Sequence, residues 1–343
     1  MHDGSDPTSL VKAVAEQTPW RDLRAEDLER LPQKGLTHSH WRIVGRGLLI
    51  RVPRVSGTGS ASDFLHRQAA SFKRLERSAR APRLHAIIEP SPDLPGGALV
   101  VDEIVGHPPR LPRELSLIAE TLAAIHSLPL PLPANRPPLA DPEVPFVATL
   151  QLVERNFPFL ERAGADPDAK RQIEEEMAWA RDFAANGVAA AGAEPRTLVA
   201  TDAQPGNFVV TPIGQAMLVD LERCAYGSPA IDIAHATLRP ATRWDPDCDT
   251  VLARDEIVRF VRAYFTAAGP RFEGPLRAWL LPMRRLTWLR TTLAFARFRV
   301  ERAAAALDPA AARHAEEVIA DSLSPATIAA IRSEWLGPDA LTF

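Results

Sequence analysis

Cysteine is nearly absent from this 343-residue chain: only Cys224 and Cys248 occur, and neither belongs to a metal-type pair. Two thiols build no disulfide framework, which excludes a stapled secreted scaffold and fits a reducing compartment. An excess of charge is lacking too. With a formal net charge of −3, nothing electrostatic points to nucleic acid as a partner. Long apolar runs are missing. The window LLPMRRLTWLRTTLAFARF is interrupted by Arg284, Arg285, Arg290 and Arg297, so no membrane span is expected. The N-terminal MHDGSDPTSL carries acids and no apolar core, and does not read as a signal peptide. No internal repeat is found, and no histidine pair has metal spacing on a shared helix face; His38 and His40 read as surface or phosphate-near residues. These absences leave a cytoplasmic protein without a membrane partner.

What is present is a globular composition, 46% hydrophobic and 24% charged, in a chain long enough for one large or two ordinary domains. The 32 prolines imply long connecting segments. Residues 1–17 read as a loose or helical lead. Leu23, Leu28 and Leu31 give 22–31 a helix-type spacing. Residues 40–54 read as a β-hairpin split by Gly45–Arg46–Gly47, 61–79 as a helix, and 84–90 and 97–105 as strands. A strong helix over 113–128 precedes a proline-rich loop, 129–145. Helices then dominate, over 147–162, 167–186, 251–268, 274–306 and 308–335, around one short strand pair within 196–222. The expected fold is α+β and bilobal. Residues 1–103 form an antiparallel-sheet N-lobe, and 104–343 a helical C-lobe. Oligomeric state is not legible.

The chemistry concentrates in TLVATDAQPGNFVVTPIGQAMLVDLERC, residues 197–224. Asp202 and Asn207 share one turn, and Asp220 follows Asn207 by thirteen residues, at the end of an apolar run. The intervening stretch reads as a hairpin about 212–214, which would fold Asp220 back beside Asn207 and Asp202. Two carboxylates and an amide oxygen suit Mg²⁺ together with phosphate oxygens, and the remaining acid can orient a hydroxyl or accept its proton. Asp and Asn are also ordinary turn residues, so the turn by itself admits a purely local reading.

The stretch resembles the core of the aminoglycoside phosphotransferase and choline kinase family, small-molecule kinases of the protein-kinase-like fold. Its usual pattern, His-Gly-Asp-x-x-x-x-Asn and then an apolar strand ending in Asp, is met by ATDAQPGN (200–207) and LVDLE (218–222). Further similarities run in order over about residues 20–240. GLTHSHWRI (35–43) is similar to the phosphate-covering turn, LLIRVPR (48–54) to the strand bearing the phosphate cation, RQAASFKRL (67–75) to the helix facing it, and LVVDEIVGHP (99–108) to the hinge. The resemblance implies Mg²⁺ and ATP or GTP as cofactors, and a small-molecule hydroxyl, an aminoglycoside-like antibiotic among the choices, as acceptor. It implies Asp202 as the catalytic acid–base residue, Asn207 and Asp220 as Mg²⁺ ligands, and Arg51 on the phosphates. Thr37, His38 and Gln68 would lie at the phosphate site, and backbone around Asp102–Ile104 would take the purine. Asp232 would tie down the catalytic loop, and Glu222 would be a supporting acid.

Four positions depart from the family's pattern, the first being Arg51, which stands where the family has Lys. Ala200 and Thr201 replace its His and Gly, and Gln68 stands where a Glu would pair with the cation; an amide can hydrogen-bond Arg51 there but adds no charge, and an exposed helix position is an equal reading of Gln68. The last three departures keep open a nucleotide-binding module with little transferase activity. Two further sets of residues bear on the acceptor. The acidic run at 244–249, with Asp255 and Glu256, could meet a polyamine, and the C-lobe tryptophans, Trp179, Trp244, Trp279, Trp288 and Trp335, could supply core or an aromatic cage. Arginines 284, 285, 290, 297 and 299 argue against a strictly polycationic acceptor and make an anionic or neutral one as plausible. Macrolides, choline, homoserine and sugars are the other acceptor classes that the resemblance implies.

Overall fold

Alternating apolar residues build the first sheet. The computed structural model describes residues 6–32, 35, 37–54, 60–302, 307–334 and 336–337. Helix α1 (Pro7–Gln17) leads into strands β1 (Leu28–Arg30), β2 (His38–Ile43) and β3 (Leu48–Pro53), then helix α2 (Ala61–Leu75) and strands β4 (Leu84–Ile88) and β5 (Ala98–Asp102). The five strands form one antiparallel sheet in the order β1-β2-β3-β5-β4. Period-two alternation gives its two faces different partners. Ile50, Ala98 and Val100 pack with Leu10 and Val14 of α1, whereas Leu99 and Val101 join Leu65 and Phe72 of α2 in the large core that continues through the helical part.

That part holds α3 (Leu115–His126), α4 (Pro145–Asn156), α5 (Phe159–Arg162), α6 (Pro167–Asp182) and α7 (Val188–Ala191). Two small strand pairs follow: β6 (Thr197–Val199) with β9 (Ala225–Gly227), and β7 (Phe208–Val210) with β8 (Ala216–Leu218). Helices α8 (Pro229–His235), α9 (Arg239–Thr242), α10 (Arg254–Ala268), α11 (Pro270–Val300), α12 (Pro309–Ser322) and α13 (Pro325–Glu334) complete the chain. The axis of the helical core is α11, 31 residues long, with Trp279 and Trp288 fully buried. Among the described residues no helix is long and apolar enough to cross a membrane.

The structure corrects several sequence expectations. Residues 22–31 are not a helix. A single 3-10 turn at Ala25–Asp27 gives way to β1, which pairs Leu28 with Ile43 at the open edge of β2; the backbone hydrogen bonds offered by that edge outweigh a marginal helical pattern. Two predicted helices are divided at prolines: 147–162 after Asn156, before Pro158, and 308–335 at Pro325. The β6–β9 pair is additional to the expected strand pair. The ends of the helices predicted over 274–306 and 308–335 reach 303–306 and Trp335, outside the described residues.

Candidate active site

Strand β6 delivers the chain to Ala200 and Thr201, where Asp232 takes hold of it. The Asp232 carboxylate is fully buried and accepts from the Ala200 N–H at 2.7 Å, the Thr201 N–H at 2.8 Å and His126 Nε2 at 3.0 Å. His126 is in turn held by the Tyr264 hydroxyl at 2.9 Å. Thr201 adopts φ +59°, a left-handed conformation that glycine takes freely and a β-branched residue adopts under strain. All of its polar groups are engaged. Its N–H meets Asp232, its hydroxyl donates to the Arg223 carbonyl at 2.8 Å, and its carbonyl accepts from Arg290 at 2.5 Å.

The turn after Asp202 carries the amide. Gly206 is required there, because a Cβ would lie 2.4 Å from the Asp245 Cβ. Asn207 is buried; its Nδ2 donates to the Asp202 carbonyl at 2.8 Å, and its Oδ1 accepts from Gln204 at 3.0 Å. The hairpin of β7 and β8 then returns the chain, and the Val219 N–H donates to the Asn207 carbonyl at 2.9 Å. Asp220 therefore follows one residue after a direct backbone bond to Asn207, and its side chain is about one-third exposed (32%). An amide oxygen and a half-open carboxylate on adjoining strand ends are the hard, sparse donor set that Mg²⁺ accepts when phosphates and water complete its shell. Among the described residues no three His, Cys, Asp or Glu side chains cluster to hold a metal by themselves.

Arg51, on β3, is buried and reaches across to this strand end. One guanidinium nitrogen donates to the Val219 carbonyl at 2.8 Å, the other stands 3.4 Å from Asp220 Oδ1, and the Nε is buried with no partner. Gln68 is buried rather than exposed, and it does not make the bond to Arg51 that the sequence allowed. Its Oε1 meets His38 Nε2 at 2.9 Å, while His38 Nδ1 lies 3.0 Å from the Thr37 hydroxyl and 3.4 Å from Glu222 Oε2. His38 is thus interior rather than superficial. Burial, with Arg51 and His40 beside it, holds its imidazole well below the ordinary value and neutral, and burial and Arg51 push His40 down to about 3. Burial and Asp220 push the Glu222 carboxyl up, against Arg223, Thr37 and Arg51. Leu36, in the turn before Thr37, lies outside the described residues.

At the expected hinge, Asp102 is largely committed. Its N–H donates to the Arg83 carbonyl at 3.1 Å, and its carboxylate holds the Arg83 N–H at 2.9 Å and His85 at 2.7 Å. The Glu103 N–H bonds Gly47 at 2.9 Å, whereas the Ile104 backbone makes no backbone bond among the described residues. Beyond it, Gly106 packs so closely on β7 that a Cβ would stand 2.2 Å from the Val210 carbonyl oxygen, and His107 and Val210 exchange two backbone bonds. The segment through Gly106 and His107 is thus fastened to the hairpin that lies between Asn207 and Asp220.

Around Asp202 itself stand three basic side chains. Arg223 Nε is 3.8 Å from Oδ2 and His235 Nδ1 is 3.5 Å from Oδ1, while Arg290 sits beneath, on the Thr201 carbonyl. Burial raises the proton affinity of Asp202, but Arg223, His235 and Arg290 outweigh it and keep the carboxyl below its ordinary value. Burial and Arg290 push His235 down to about 4, so the imidazole is neutral at pH 7. Neither Arg223 nor His235 was singled out from sequence. A trace existed for the second: Asp232 and His235 lie three apart in the run AIDIAH, on one helix face.

The acidic run is largely spent internally. Asp249 pairs with Arg243 at 2.8 Å, Asp255 pairs with Arg259, Glu256 accepts from the Ala253 N–H at 2.6 Å, and Asp245 accepts from the Asp247 N–H at 2.9 Å. Among the tryptophans, Trp244 stacks on Phe295 at 4.7 Å and meets Phe298 edge-on, Trp179 lies under Arg285, and Trp279 and Trp288 are core.

The model of the phosphotransferase enzyme family matches residues 27–280. Comparison with curated protein sequences gives no match. Solved structures share the fold over nearly the whole chain. A choline kinase from Cryptosporidium parvum is 15% identical, with TM-score 0.64 over 97% of this chain and 98% of that one. A putative aminoglycoside phosphotransferase from Ralstonia eutropha is 13% identical, with TM-score 0.61 over 94% and 96%. A macrolide 2'-phosphotransferase from Brachybacterium faecium is 16% identical, with TM-score 0.53 over 88% and 98%. At these identities the likeness is one of fold.

Proposed function

The chain belongs to the phosphotransferase enzyme family, and from that premise we propose that it moves the γ-phosphate of ATP or GTP to a hydroxyl of a small molecule. The observation that carries the reading is the junction of the two motif ends: the Val219 N–H bonds the Asn207 carbonyl, while Arg51 reaches both Val219 and Asp220 from the sheet. Asp202 orients the acceptor hydroxyl and takes its proton; the surrounding basic side chains keep it ionised for that purpose. Asn207 and Asp220 hold Mg²⁺, which when bound offsets the charge of the phosphates. Arg51 is planar and permanently charged, suited to phosphate oxygens, and has a buried Nε in reserve. Thr37 borders the same space. Ile104 offers its free backbone to the purine, with Asp102 holding the strand end in place. Gln68 holds His38, whose other nitrogen meets the Thr37 hydroxyl near Glu222, rather than contacting phosphate by itself. Catalysis on this reading is positioning and charge neutralisation, with no covalent intermediate on the protein.

A neutral or anionic alcohol, of the homoserine or sugar type, suits the acceptor side better than an aminoglycoside or choline. The acids of 245–256 are engaged by their neighbours and Trp244 by two phenylalanines, while Arg223 and Arg290 flank Asp202. ATP use and two buried cysteines outside any disulfide accord with a cytoplasmic location.

The test is a panel of amino, sugar and carboxylate-bearing alcohols with Mg²⁺ and ATP or GTP. The expected result is transfer that Asp202→Asn lowers by at least about a hundredfold, with nucleotide affinity kept, and nucleotide binding that Asp220→Ala weakens. Turnover unaltered by Asp202→Asn would sink the proposal. Ala200, Thr201 and Gln68 motivate a second reading, a nucleotide-binding module, which predicts a thermal shift with Mg-ATP and no turnover on any acceptor.

A further inference from the structure

We propose that His235 is a positioning residue for Asp202: its Nδ1–H holds Oδ1 of that carboxylate, so that Oδ2 faces the acceptor hydroxyl. The inference rests on the phosphotransferase reading and adds to it a residue that the motif does not contain.

The placement is built by one short helix. Asp232, in α8, fixes the backbone of Ala200 and Thr201, and His235, three residues on, lies beside the Asp202 side chain. Backbone and carboxylate of the catalytic turn are thus governed from the same element. The imidazole is 93% buried, and its Nδ1 is enclosed without a hydrogen-bond partner at rest. An unpaired buried ring nitrogen is costly, and the acceptor in reach is Asp202 Oδ1, at 3.5 Å. Contacts of this kind are commonly long before substrate binds and tighten afterwards. A lone pair on Nδ1 would face an anionic oxygen, so the stable neutral tautomer carries its proton there. The other charged groups facing this pair are Arg290, Arg223 and Asp232.

Neutrality matters to the role. An imidazolium would add a third full charge beside Arg223 and Arg290 and draw the carboxylate away from its substrate. A neutral donor fixes the rotamer while leaving the anion able to receive a proton from Oδ2's side.

The probe is Mg-ATP with water as acceptor, followed by phosphate release, in wild type, Asp202→Asn, His235→Leu and His235→Asn; the Asn side chain returns a donor near the Nδ1 position. His235→Leu is expected to lower kcat about ten- to a hundredfold through misplacement of the carboxylate, with KM for Mg-ATP unchanged, and His235→Asn to recover kcat to within about threefold of wild type. Nitrogen-15 spectra of histidine-labelled protein are expected to show His235 neutral and protonated on Nδ1. A normal kcat in His235→Leu, a His235→Asn as slow as His235→Leu in a folded protein, or an Nε2–H tautomer would each overturn the proposal. Should His235→Leu fail to fold, His235→Asn decides alone: near-normal kcat supports it and a tenfold loss overturns it. A wild type without phosphate release or transfer refutes the functional reading itself, whereas an active wild type with an inactive Asp202→Asn and a normal His235→Leu refutes only the role of His235.

Discussion

Replacing Thr201 separates two opposed contributions at one position. A left-handed conformation costs a non-glycine residue about 1–2 kcal/mol, and φ +59° at Thr201 incurs that cost. The hydroxyl bond to the Arg223 carbonyl returns about 1 kcal/mol. In Thr201→Gly the strain disappears, the hydroxyl bond is lost, and glycine loses about 0.5–1 kcal/mol more backbone entropy on folding. The three changes nearly cancel, so stability should stay within about 1 kcal/mol of wild type. Thr201→Val keeps the strain and the shape but loses the bond, and should be less stable by about 1 kcal/mol. Urea unfolding at equilibrium reads both. The order expected is wild type and Gly together, with Val below. A Val variant as stable as wild type, or a Gly variant more than about 2 kcal/mol below it, would refute the assignment of strain and bond to this residue.

Two further variants test the frame around the site. Asp232→Ala leaves two backbone N–H groups and His126 without their acceptor and should cost about 3–5 kcal/mol in the same assay; a loss under about 1 kcal/mol would show that the loop does not depend on it. Glu194 is raised by burial from 4.5 to about 7, against hydrogen bonds from Phe146 N–H and Ser228. Between those values the folded chain keeps a proton that the unfolded chain has released, so stability must fall as pH rises through that window. Glu194→Gln should remove up to about 2 kcal/mol of this dependence and gain on wild type at pH 8 but not at pH 4; identical pH profiles for the two proteins would refute it.

Much of this architecture was legible because it rests on local patterns. The β2–β3 hairpin announces itself through two apolar runs about Gly45 and Gly47, α2 through its helical period after Ser60, and the β7–β8 hairpin through the turn residues of 211–215. What was not legible depends on partners distant in sequence. Strand β1 exists because β2 has an open edge, and β9 because β6 lies beside it, with Thr197 opposite Gly227 and Val199 opposite Ala225. The neighbours of Asp202 share this character. Arg223, His235 and Arg290 converge from a loop, a short helix and the long helix, and no spacing in the sequence encodes that meeting.

The pairing of Arg51 with Gln68 follows the same logic and turns two departures, Arg for Lys in β3 and Gln for Glu in α2, into one change. A lysine ammonium in β3 would call for a carboxylate on α2 to hold it. A guanidinium carries several donors in one plane. In Arg51 they are directed onto the strand end, at Val219 and Asp220. Countercharge for the cation therefore comes from Asp220, and a second carboxylate at position 68 would compete with it. With an amide there instead, α2 is free to engage His38, whose other nitrogen faces Thr37 and Glu222. The sheet and the α2 helix thus reach the Asp220–Glu222 segment by two parallel routes, one charged through Arg51 and one neutral through Gln68 and His38. Restoring Glu at 68 alone would bury an extra anion beside neutral His38 and raised Glu222, so Gln68 has to be read together with Arg51.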